Sequence, residues 1–285
     1  MSAAKTESGL NARSGRSRSL IVPREHGAWG ILLIPLFTGA SAGLLVDGDG
    51  KNLIALILVA LALFWLRTPV EGWAGTVPVR ARTPREFRLV RAVALLLVTI
   101  AISGLAWLLW NGQNLALIWI GCAAAIAFLV QLFVRRMWKN ARTEAQMVGA
   151  AGLTSTAPAA YYVVTGHLNA IAWSLWAANL LFAINQIHYV QLRIQAARVA
   201  SRREQLVAGS AFLAQQLVLI ALIAFGCLVG VFPWYGATAF LPVLVRGFMW
   251  FADHPKPLAI HSLGKSELAY ACLFGVLLVM GMRFA

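Results

Sequence analysis

Acidic residues are scarce in this chain: ten Asp and Glu stand against 24 Lys and Arg, for a net charge of +14. Charge of either sign makes up only 12% of the residues, where a soluble domain carries about a quarter. That deficit excludes a soluble globular fold. Cysteine is nearly missing as well. Cys122, Cys227 and Cys272 fall inside apolar runs without metal-site spacing, and read as small buried hydrophobes. Period-2 alternation is absent, which argues against a transmembrane barrel. The first apolar run, 27–46, is long enough to span, so it reads as a retained helix rather than a removed signal.

What is present is apolar: 60% of the residues are hydrophobic, in nine stretches near 27–46, 52–66, 90–110, 114–134, 146–165, 168–190, 211–231, 235–251 and 266–284. A hydrocarbon core about 30 Å thick needs roughly 20 apolar residues per helix, and the second stretch reaches that by extending through Arg67. The expected fold is all-α, a polytopic membrane helical bundle of nine transmembrane helices. Residues 1–20, rich in Ser, Arg, Ala and Gly, read as a disordered basic cytoplasmic tail, and 21–285 as one transmembrane domain. Alternate gaps hold 22 of the 24 basic residues, leaving only Lys51 and Arg283 outside them. The positive-inside rule then sets the N-terminus in the cytoplasm and the C-terminus outside. The same rule accounts for the high positive charge, so no nucleic-acid partner is expected. Trp29, Trp65, Trp107, Trp110, Trp138, Trp173, Trp234 and Trp250 lie near stretch ends, as an interfacial belt requires.

The outer connections are short turns, whereas the inner ones carry chemistry. Arg24-Glu25-His26 opens the first helix. Arg67 and Glu71 end the second, Lys139 and Arg142 follow the fourth, and Asn185, His188, Gln191 and Arg193 end the sixth. The last inner segment holds Arg246, Asp253, His254, Lys256 and His261, with Lys265 and Glu267 opening the final helix. The spacing of three residues sets Asn185, His188 and Gln191 on a shared helical face. Polar side chains in a span are expensive against lipid and turn inward. Converging cations, carboxylates and imidazoles describe an anion pocket with acid–base groups. Arg24, His26, Arg67, Lys139, Arg142, Asn185, Gln191 and Arg193 are its candidate substrate ligands, and Glu71 and His188 its acid–base candidates. The plainer reading of the cations is topogenic, of Glu25-His26 a helix cap, and of Asn185 with His188 an interhelical hydrogen bond.

Arg24-Glu-His-Gly-Ala-Trp29 before an apolar helix resembles the opening of the YwiC-like family of bacterial membrane proteins. The stretch from Arg142 through Gly149-Ala-Ala-Gly-Leu-Thr-Ser-Thr-Ala-Pro158-Ala-Ala-Tyr161 and the segment Lys265-Ser-Glu267-Leu fit it too. That resemblance implies a multi-pass protein of the bacterial cytoplasmic membrane and carries no established activity. The layout of nine helices with polar motifs after the second and sixth is similar to the UbiA superfamily of intramembrane prenyltransferases. This second likeness implies a cytoplasm-facing pocket for an isoprenoid or other lipid phosphate. Those enzymes hold magnesium with two Asp-rich motifs. Here Glu71 is the only carboxylate between Arg67 and Arg85, and 185–203 has no acid, which argues against magnesium as cofactor. Membrane lipids are the expected partners. The alternatives are a transporter of a small solute, with Pro35, Pro158 and Pro242 supplying half-helix breaks, and a non-catalytic structural subunit.

Overall fold

A computed structural model describes residues 20–21, 26–74, 83–112, 115–138, 141–198, 201–253 and 259–283. Among the described residues the only regular elements are helices: α1 (His26–Leu45), α2 (Leu53–Ala74), α3 (Pro84–Gly112), α4 (Ala116–Met137), α5 (Arg142–Thr154), α6 (Thr156–Thr165), α7 (Ala170–Gln195), α8 (Arg202–Leu228), α9 (Trp234–Ala237), α10 (Leu241–Ala252) and α11 (Ile260–Arg283). A one-turn 3₁₀ segment, Thr238–Phe240, joins α9 to α10. Among the described residues, eight helical stretches are long and apolar enough to cross a membrane, the one over Trp234–Ala252 being this composite. The fold class is all-α, and the protein is a multi-pass membrane protein.

The fifth expected span differs in an instructive way. It is not one helix but two, α5 and α6, separated at Ser155. Pro158 has no N–H to give the carbonyl of Thr154 and its ring crowds that oxygen, which breaks an α-helix. Hydroxyls turn back onto the local backbone at the break. Thr154 Oγ1 donates to Ala150 O at 2.9 Å, Ser155 Oγ to Gly152 O at 2.6 Å and Thr156 Oγ1 to Leu153 O at 2.8 Å. Pro35, by contrast, sits inside a continuous α1, and Pro242 at the start of α10, where a missing N–H costs nothing.

The chain divides into two compact units, residues 1–26 with 52–113, and residues 27–51 with 114–285. In the first, α2 and α3 pack around Ala62, Leu97 and Ala101, joined by Trp65, Leu66 and Val93. Helix α3 starts with a reciprocal capping box, Thr83 N to Glu86 Oε2 at 3.1 Å and Glu86 N to Thr83 Oγ1 at 3.2 Å. Leu20 is buried, and Trp65 Nε1 donates to Ile21 O at 2.6 Å.

The second unit centres on α7, α8, α10 and α11, with Phe182 of α7 stacked on Phe274 of α11 at 4.2 Å between ring centroids. Helix α1 enters this unit through small residues. Gly39 and Gly43, a G-x-x-x-G pair, lie against Ala157 and Val164 of α6, and Gly275 of α11 receives Ile34 and Thr38. Between membrane helices, where no hydrophobic force remains to be gained, such close backbone approach and interhelical hydrogen bonds supply the adhesion. One such bond runs from Asn179 Nδ2 of α7 to Thr38 Oγ1 at 2.9 Å. Helix α7 opens on Asn169, whose Oδ1 accepts from Ile171 N at 3.1 Å and Ala172 N at 3.3 Å. Asn169→Ala is expected to lower stability by about 1 kcal/mol, measured by thermal unfolding in detergent.

On the turn between α1 and α2, the Asp49 carboxyl is held below the usual carboxylate range by the Lys51 side chain, which pairs with it at 2.9 Å. Both are exposed, so the pair contributes little. Asp47 of the same turn lies in the left-handed region at φ 60°.

Candidate functional site

Among the sequence candidates, the first unit holds Arg67 and Glu71. They sit one turn apart near the end of α2, which runs to Ala74, and pair through Nε and Oε1 at 2.9 Å with both side chains largely buried. Glu71 therefore meets a cation on its own helix. Arg24 and Lys139 lie outside the described residues, as does the side chain of His26.

The remaining candidates belong to the second unit, and the structure separates the three expected on one face. Asn185 is 0% exposed and lies on the buried stripe of α7 with Phe182, Gln186 and Tyr189. Gln191 turns to α5 instead, donating from Nε2 to Gln146 Oε1 at 3.1 Å. His188 is half-buried with Nδ1 2.9 Å from Ile184 O. A carbonyl only accepts, so Nδ1 carries the proton and Nε2 keeps its lone pair in the neutral ring. One turn before Gln146 stands the exposed Arg142, which opens α5, and Arg193 is half-buried beyond Gln191. The Gln191–Gln146 bond thus joins the start of α5, which carries Arg142 and Glu144, to the end of α7 that bears His188 and Arg193.

A second polar cluster went unrecognised as a site in the sequence. Arg246 lies in the middle of α10 and not in a loop, so its charge is not a topogenic one, and Lys265 and Glu267 lie within α11, which begins earlier than the sequence suggested. Arg246 is 7% exposed and forms an ion pair from Nη1 to Oε1 of Glu267, itself 4% exposed. Its guanidinium is held between two rings, 4.0 Å from the Tyr189 centroid and 4.4 Å from that of Tyr270. Cation–π contacts of this kind are strongest when desolvated. Gln186 Nε2 completes the cluster by donating to Glu267 O at 3.0 Å. The sequence signal was available: a single Arg inside the apolar run from Leu241 to Ala252 marks an inward-facing functional position.

Helix α8 closes this end of α10. Gln205 Nε2 donates to Trp250 O at 2.8 Å and Asp253 O at 3.1 Å, while Arg202 Nη1 donates to Ala252 O and Asp253 O. These bonds satisfy carbonyls that the end of α10 leaves without helical partners, and the cation complements its dipole. Among the described residues, no group of three or more His, Cys, Asp or Glu is placed to hold a metal ion.

Comparison with known proteins adds a family to this geometry. The YwiC-like protein family matches residues 22–161. That stretch of the chain is similar to the YwiC-like family. Over 266 residues, 89% of this chain and 95% of the other, it is also 21% identical to the uncharacterized protein YwiC of Bacillus subtilis (strain 168). The YwiC-like segment includes the Arg24–Trp29 opening and the whole α5–α6 break. It ends before α7, so Asn185, Arg246 and Glu267 lie beyond it.

Proposed function

We propose that this multi-pass membrane protein binds an isoprenoid or other lipid phosphate at the end of its second unit where α5 meets α7. In this reading the layout is UbiA-like, the N-terminus is cytoplasmic and the pocket opens to the cytoplasm of a bacterial cell. The observation that carries it is the Gln191–Gln146 bond, because it brings Arg142, His188 and Arg193 to one end of that unit. Arg142 and Arg193 serve as oxyanion ligands through planar, charge-assisted hydrogen bonds. His188 offers Nε2 as proton acceptor, its ring oriented by Ile184 O. With no acid across 185–203, the phosphate charge is met by guanidinium groups in place of carboxylate-held magnesium.

Lipidomics of the purified protein tests the reading. A phosphate-bearing lipid is expected to co-purify with the native chain. At about 1.5 kcal/mol for each charge-assisted contact, Arg142→Gln with Arg193→Gln is expected to weaken retention by about a hundredfold. His188→Ala should retain the lipid, since His188 acts on protons. Lipid composition that does not differ between the native and doubly substituted protein sinks the proposal.

Transport of a small solute is the second reading, favoured by one specific feature. A helix broken at Ser155 stands beside a helix whose buried stripe carries Ser174, Asn179, Asn185 and Gln186, and interrupted helices next to buried polar groups mark transport pathways. Solute flux into proteoliposomes that disappears on substituting Asn179 or Asn185, with no lipid retained, would select it.

A further inference from the structure

The guanidinium of Arg246 has a side-on edge that the protein leaves unused. Its Nη1 pairs with Glu267, but Nε and Nη2 make no hydrogen bond to the protein although both are buried. The rings of Tyr189 and Tyr270 both pack against the guanidinium, and the Nε–Nη2 edge is the part left without a partner. Nε and Nη2 together form the planar fork that matches a carboxylate in bidentate fashion. Three more buried groups on the adjoining helices are unbonded: both amide atoms of Asn185, Oε1 of Gln186 and Oε2 of Glu267. Asn185 and Gln186 precede Tyr189 by about one turn on the same buried stripe of α7. Buried polar atoms are normally paired, and in a hydrocarbon setting orphans of this number are costly.

From this geometry we infer that Arg246 is the anchor of a second, buried site that binds a monocarboxylate with uptake of one proton. The carboxylate accepts from Nε and Nη2 of Arg246, with Asn185 Nδ2 as a further donor on that face. Glu267 takes one proton from solvent at Oε2 and gives a hydrogen bond to Gln186 Oε1, whose amide nitrogen already lies on Glu267 O. The sum of the guanidinium, the neutral Glu267 carboxyl and the bound carboxylate is then zero. That balance selects the ligand class. A phosphate dianion would leave one charge uncompensated in a buried site, whereas a singly charged carboxylate leaves none.

The groups around Glu267 give it a single strong neighbour. Helix α10 presents Arg246. Helix α7 presents Tyr189, with His188 beside it held on Ile184 O. Its own helix presents Tyr270, while Lys265 is exposed. Helix α8 turns Phe212 and Gln216 toward Gly247 of α10, and α1 meets α11 through Gly30, Ile34 and Thr38, none of them titratable. The proton therefore goes to Glu267. This site does not depend on the phosphate-binding reading, which uses Arg142 and Arg193.

The test is calorimetry of the full-length protein in phosphatidylcholine nanodiscs, titrated with acetate and with decanoate in two buffers of different ionisation heat. Saturable binding with uptake of close to one proton is expected, so affinity should weaken by about tenfold for each unit that the pH is raised. Binding of both probes assigns a soluble carboxylate, and of decanoate alone a fatty acid. Glu267→Gln, which mimics the protonated acid, is expected to bind without proton uptake, and Arg246→Lys about tenfold or more weakly for loss of the fork. If Arg246→Lys does not fold, the proton count in Glu267→Gln decides alone. No binding of either probe, unchanged affinity in Arg246→Lys, or proton uptake that survives in Glu267→Gln overturns the inference.

Discussion

Glu267→Leu is expected to destabilise the protein by about 3–5 kcal/mol, because it strands a buried guanidinium without its counter-ion. Arg246 is 7% exposed and inside a membrane span, and arginine cannot shed its proton to escape the penalty. The converse change is milder. In Arg246→Met, Glu267 is left alone but can neutralise itself by taking a proton, as isolated buried carboxylates do. Removing both charges in Arg246→Met with Glu267→Leu should recover most of the loss, since apolar replacements of a buried pair are often neutral. Reversible denaturation in mixed micelles measures all three. A double variant as unstable as Glu267→Leu would mean that the pair is not the source of the loss.

Gly39→Val carries the second large effect. A Cβ at Gly39 would run into the backbone of Ala157, which has no rotamer with which to yield. Helix α1 must then move away from α6, losing the contact at Gly43 with Val164 as well. Overpacking of this kind costs about 1–3 kcal/mol and more when backbone is the obstacle. Gly121→Ala in α4 is the matched control, since nothing lies within 4 Å of its added Cβ. It is expected to be neutral or to stabilise by about 0.5–1 kcal/mol through helix propensity. Thermal unfolding of the two variants side by side checks the contrast, and equal melting temperatures would contradict it.

The apolar stretches were legible because a helix in lipid must be long and continuous enough to satisfy its own backbone. Among the described residues, seven of them stand as single α-helices and an eighth as the composite of α9 and α10. The fifth hid its break because hydropathy does not register backbone hydrogen bonding, and Pro158 mattered only through the carbonyl of Thr154. The expected face of Asn185, His188 and Gln191 dispersed for a geometric reason. At 3.6 residues per turn, positions six apart differ by about 120° around the helix, so Asn185 turns to the core while Gln191 turns to α5. Arg246 was grouped with loop cations because it stands near a basic segment. Its lone place in the apolar run from Leu241 to Ala252 marks it as inward-facing, and the structure sets it against two tyrosines from other helices. Tyr189, Tyr270 and Gln186 had no local signal, since their role comes from three helices meeting.

Native mass spectrometry of the nanodisc-embedded protein, offered an isoprenoid phosphate and the isoprenoid alcohol of equal tail length, tests the central claim most directly. The phosphate is expected to bind at least about tenfold more tightly than the alcohol, with the preference lost in Arg142→Gln with Arg193→Gln. Equal binding of phosphate and alcohol, or a preference that survives the double substitution, would contradict the account.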